Sequence, residues 1–170
     1  MMRRIFRVKR DGSVEVSLSI GEVEAIREVA HLVLAEVDDP GEDAVRLLPP
    51  AYADDLERQE EFERMTRDDL LARKRASAEA VVASIVSGTT KRETWSGVLD
   101  EDGVGAWLGF LNDARLLIGT KLNVTEDMDH SPLPPEDPGA AMHNMYVYLS
   151  ALEGVLVEGL LDTLPAGGRS

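Results

Sequence analysis

Apolar residues recur at three- and four-residue intervals through long stretches of this chain, a spacing that commits most of it to amphipathic helices packed against one another. The clearest run extends from Ile20 to about Val37 and opens with Ser19-x-x-Glu22, the form of a capping box. Asp39-Pro40-Gly41 ends it, and RLLPPAYADD reads as a proline-held connection. A short acidic helix is expected over Asp54 to Met65. A longer one, capped by Thr66-x-x-Asp69, follows as far as Gly88. The stretch TTKRETWSGV at 89–98 reads as a connection with room for a short strand. Asp100 or Asp102 starts a third major helix, which stops near Asn123, a residue that tolerates the left-handed conformation after a helix. HSPLPPEDPG is a loop, and Asp137 with Pro138 forms the N-cap and first position of a last helix to about Leu161.

The opening IFRVKRDGSVEVSLS has period-two alternation and a turn at Asp11-Gly12. A two-residue turn would set Phe6 and Val8 opposite Ser17 and Glu15. A three-residue Arg10-Asp11-Gly12 loop, with Gly12 left-handed, sets Phe6 against Val16 and Val8 against Val14, collecting the apolar side chains on one face. The second register is preferred, with Arg7, Lys9, Glu15 and Ser17 facing water. The predicted fold is mostly α (α+β): about four main helices in a bundle, with the N-terminal hairpin covering one end. One domain over 1–170 is expected, with the hairpin at about 4–19, the helical part at about 20–162 and a disordered tail at 165–170; no internal repeat is visible.

With 170 residues the chain can bury a sizeable core without covalent staples, and it has no cysteine for disulfide, thiolate or redox chemistry. No signal peptide or membrane span is read, which is compatible with a cytoplasmic setting. The formal net charge of -14 repels nucleic acid at long range. Basic residues gather in two places, around Arg4 and Arg7 and around Arg73, Lys74 and Arg75. Each is either a solvated face or part of a surface that docks a charged protein.

One stretch departs from its own pattern. In LGFLNDARLLIGTKL, residues 108–122, the series Leu108, Leu111, Arg115, Ile118 and Leu122 places an arginine on an apolar stripe. A buried guanidinium requires a matched acid, and Glu153 and Glu158 on the last helix are the candidates. Asp113, two residues away, points elsewhere. Asn112, Asp113 and Arg115 are therefore candidates for a core-organising ion pair or for a polar pocket that takes a small anion or a partner's acidic side chain.

Other chemistry is sparse. Glu126-Asp127-Met128-Asp129-His130 offers hard ligands for a divalent metal, at no established spacing, and supports a metal-dependent enzyme only as an alternative. Phosphate-loop, dinucleotide, serine-hydrolase and zincin motifs do not occur, and no cofactor is expected. A helix-turn-helix between residues 66 and 122 would need a far shorter connection, so direct DNA binding rests on the basic hairpin alone. Met142, Met145, Tyr146, Tyr148 and Leu149 give the last helix more apolar surface than one buried face needs, which points to a homodimer seam.

The segments RLLPPAY at 46–52, TRDDLLARK at 66–74 and WLGFLNDARLLIGTKLNVTED at 107–127 together resemble an actinobacterial family of unknown-function proteins related to the actinomycete oxidative-stress regulator. The resemblance implies a cytoplasmic, non-enzymatic protein that acts on transcription under oxidative stress through a sigma-factor partner. It transfers no catalytic residues, and the cysteine pair proposed for redox sensing in that regulator is absent here.

Overall fold

The computed structural model describes residues 4–42, 44, 47–48, 55–125 and 127–164. Their order is β1 (Phe6–Val8), β2 (Val14–Ser19), α1 (Ile20–Asp38), α2 (Leu56–Ser87), β3 (Thr89–Lys91), β4 (Thr94–Leu99), α3 (Glu101–Lys121) and α4 (Ala140–Leu161). The fold is mostly helical, with one four-stranded antiparallel sheet in the order β1-β2-β4-β3. The proline-held connection and the tail expected at 165–170 fall wholly or mostly outside the described residues.

The first hairpin has the register that gathers its apolar side chains: Phe6 faces Val16 and Val8 faces Val14. Gly12 takes φ +86, and Lys9 N–H reaches Ser13 O at 2.8 Å to close the three-residue loop. Arg7 and Lys9 both pair with Glu15 on the outer face. The Ser19 hydroxyl accepts from Glu22 N–H while the Glu22 carboxylate accepts from Ser19 N–H, so strand β2 passes into α1 with no intervening loop.

The segment expected to be a connection at 89–98 is instead a second hairpin. Its central strand β4 pairs with β2 from Val14↔Leu99 to Ser19↔Thr94. Trp95 and Leu99 then join Val14, Val16 and Leu18 on the buried face of the sheet. The first hairpin is therefore half of a sheet rather than the lid of a bundle. The element order strand–strand–helix–helix occurs twice, and the two hairpins meet about an approximate twofold between β2 and β4. Ser19 and Asp100 cap α1 and α3 at equivalent places, so the repetition unseen in the residues is present in the topology.

Trp95 explains two glycines. Its indole N–H donates to Ile85 O at 2.9 Å, and the ring lies so close to Gly88 and Gly97 that an added Cβ would come within 2.3 Å and 2.6 Å of it. Gly88 does end α2, but at φ -73, so its missing side chain serves the close approach of Trp95 rather than a left-handed cap. Asn123, by contrast, has φ 52. Asn123 N–H bonds Thr120 O at 3.2 Å and Val124 N–H bonds Gly119 O at 2.9 Å, the paired closure of a Schellman motif.

Two helix boundaries differ from expectation. Residues 56–87 form one helix capped by Asp55, because the Thr66 hydroxyl donates within it to Phe62 O at 2.6 Å instead of capping a new start. Helix α4 begins at Ala140, after Asp137 has accepted from Gly139 N–H in the preceding turn. Tyr146 and Leu149, expected at a dimer seam, are buried, while Met145 and Tyr148 pack partly against the core.

Gly88→Ala and Gly97→Ala should each destabilise by about 1–3 kcal/mol through overpacking against Trp95. Gly105→Ala, at a helical position with open space beside it, should stabilise by about 0.5–1 kcal/mol. Denaturant unfolding with tryptophan fluorescence measures all three, and equal effects at 88 and 105 would contradict the Trp95 account.

Candidate functional site

Helix α3 packs against α1, α2, α4 and β4, so its sequence must serve several neighbours. Val104, Trp107, Phe110, Leu111, Ala114, Leu117 and Ile118 supply the apolar part. Phe6 meets the Trp107 ring edge-on with centroids 6.3 Å apart, which links the sheet to this helix. The Trp107 indole N–H donates to the Ser84 hydroxyl of α2 at 2.9 Å, satisfying a polar atom that would otherwise be stranded in the core.

The buried charge on α3 is Asp113 and not Arg115. Asp113 is 4% exposed, and its Oδ1 accepts from Lys74 Nζ of α2 at 2.7 Å. Burial pushes its carboxyl above the ordinary carboxylate range, with the Lys74 ammonium pulling it part of the way back. Arg115 lies at the edge of the stripe, about a third exposed. Its Nε is 3.2 Å from Glu153 Oε2 of α4, without the alignment of a hydrogen bond, and its Nη2 donates to Asn112 Oδ1 at 3.2 Å. Of the two acids anticipated for it, Glu153 is the partner. The trio Asn112, Asp113 and Arg115 therefore forms no common pocket: Asp113 faces α2, while Arg115 with Asn112 faces α4.

The basic candidates also separate. Lys74 is turned inward to Asp113 and is not a surface residue for a partner. Arg75 pairs with Asp38 at the end of α1. Arg73 is exposed on α2, whereas Arg4 and Arg7 border a groove between β1 and α4.

The acidic loop has structural duties. Asp129 accepts from Ser131 N–H at 2.8 Å, which holds its carboxyl below the usual range. His130 stacks on Tyr146, His143 Nε2 contacts Ser131 O at 2.9 Å, and Asn144 brackets Leu133 through both its backbone groups. Glu126 lies outside the described residues. Among the described residues no three His, Asp or Glu side chains come together in a way that could hold a metal ion. A β-hairpin, not a turn, joins α2 to α3, so the helix-turn-helix geometry is absent from this part of the chain.

What the sequence did not reveal is the first part of α2. From Asp55 to Ser77 no described side chain is fully buried; the first is Ala78. At 1.5 Å per residue this makes roughly 30 Å of helix with charges of both signs around it. Its low apolar periodicity was the available signal, obscured by Leu70 and Leu71.

Residues 2–160 match the family model described as domain of unknown function (DUF2017), and the chain belongs to that family. No curated protein and no solved structure matches it significantly. No helix among the described residues is long and apolar enough to cross a membrane.

Lys74→Met should cost about 3 kcal/mol by leaving Asp113 buried and unpaired, and Lys74→Met with Asp113→Leu should recover most of that. Arg115→Met, which breaks a partly exposed pair, should cost less than Lys74→Met. The folded carboxyl of Asp113 titrates above its unfolded value, so its contribution to stability falls as pH rises from the ordinary carboxylate value through the raised one. Carboxyl-carbon NMR titration should place Asp113 above the other aspartates; a midpoint at or below the usual value would contradict the burial argument.

Proposed function

We propose that the protein is a non-enzymatic regulatory or adaptor protein that works by holding another protein, with the N-terminal half of α2 as its docking arm. The observation that carries this reading is the long, doubly charged, unburied stretch of α2 on a helix anchored firmly at its other end. A helix of this kind gains its stability from the buried half and offers the more exposed half to a partner. Arg67 and Arg73 with Asp68 and Asp69 give that half both signs of charge, suited to a partner whose surface is itself mixed. The polar residues of α3, which sequence reading offered as a ligand pocket, are instead committed to interhelix ties. That commitment favours a binding role over a pocket-based one.

The resemblance supplies the setting: transcription under oxidative stress, with a sigma factor as the partner. The absence of cysteine removes any thiol sensor from this chain, so the response to oxidant would belong to the partner or to the amount of the protein.

Affinity capture of the tagged protein from lysate of its own source, followed by mass spectrometry, tests this reading. Recovery of a sigma factor or another transcription component, lost in an Arg67→Glu/Arg73→Glu variant of unchanged helicity, is the expected result. Equal recovery by wild type and variant would remove the arm from the account.

A further inference from the structure

The C-terminal half of α4 presents to solvent a ridge unlike the rest of this acidic molecule. Gly154 is exposed there, with Val155 44%, Val157 39% and Leu161 55% exposed, and Leu164 beyond the helix 56% exposed. Apart from the buried His143, the acidic and basic side chains in the 22 residues of α4 are Glu153 and Glu158, and Glu153 is engaged by Arg115. A single outward charge on a helix of this length, in a chain with 29% charged residues, marks a surface built for contact.

Beside the ridge runs the groove between α4 and the edge strand β1, about 690 Å³ in volume. Helix and strand come within contact distance at Gly159, where a Cβ would stand 3.6 Å from Val8 Cγ2. The floor is apolar, from Ile5, Val8 and Val155, and the rim is divided by sign: Arg4 on the strand side, beside the Arg7–Glu15 pair, and Glu158 and Asp162 on the helix side.

We propose that this face is covered by a second copy of the chain, in a twofold pairing that packs the two α4 ridges together and sets Glu158 and Asp162 of each copy toward Arg4 of the other. Two arguments select this occupant. Copies of net charge -14 repel one another, so they associate only where the contacting surface is uncharged or carries paired signs, and this face does both. A twofold interface must also be its own complement, and a rim with a base on one side and acids on the other sets each against its opposite after a half-turn. A differently charged partner would match one side of the rim and oppose the other. This inference is independent of the role assigned to α2, which lies on another element.

Sedimentation equilibrium from low to hundred-micromolar concentration tests the pairing, with far-UV circular dichroism confirming the fold of each variant. Wild type should be a dimer. Val155→Glu and Leu161→Glu should each weaken it at least tenfold, while Val98→Lys, on the outer face of the sheet, should leave it unchanged. Arg4→Glu should weaken the dimer, and Arg4→Glu with Glu158→Arg should restore it. A monomeric wild type throughout would overturn the proposal and leave the ridge to a different protein; a dimer indifferent to Val155→Glu and Leu161→Glu would overturn it equally.

Discussion

The contact of Lys74 with Asp113 fixes what the rest of the structure can do, because it joins α2 to α3 through a charge that cannot be left alone. Desolvating a carboxylate opposes folding unless a cation meets it, so α2 can lie against α3 only where Lys74 reaches Asp113. The Trp107–Ser84 hydrogen bond lies further along the same pair of helices and fixes the same register with an uncharged group. Past this point toward its N-terminus, α2 has no fully buried described side chain. The more buried and the more exposed parts of the helix, among the described residues, thus meet at one boundary.

The Arg115–Glu153 contact on the opposite side of α3 is weaker in kind. Both groups are partly exposed, and the Nε of Arg115, itself buried, is not aligned for a hydrogen bond with the carboxylate, so this contact holds less firmly than that of Lys74 with Asp113. It orients α4 more than it holds it. The apolar residues of α4, Leu149, Leu152 and Leu156, supply the attachment, and they leave the opposite side of the helix for other uses.

Local rules made much of this legible in the sequence. The hairpin register followed from which pairing gathers Phe6, Val8, Val14 and Val16, and the ends of α1 and α3 followed from Ser19, Glu22 and Asn123. Longer-range packing decided the failures. The second hairpin was obscured because Gly97, in its second strand, reads as loop until the ring of Trp95 is placed against it. Arg115 fits the three-and-four spacing of a buried stripe, but so does the neighbouring series through Ala114. Only the positions of α2 and α4 show that the stripe turns slightly and buries Asp113 instead. Thr66-x-x-Asp69 has the form of a helix start, yet inside a continuous helix the same threonine bonds back to Phe62.

Hydrogen exchange of the backbone amides of α2, read residue by residue in the free protein, tests the central claim that this helix is anchored only in its C-terminal half. Amides from 78 to 87 should exchange near the rate of global unfolding, and those from 58 to 70 should exchange faster by orders of magnitude through local opening. Uniform strong protection from 58 to 87 would contradict the account, showing that the first turns of α2 are held by the body of the protein as firmly as the last.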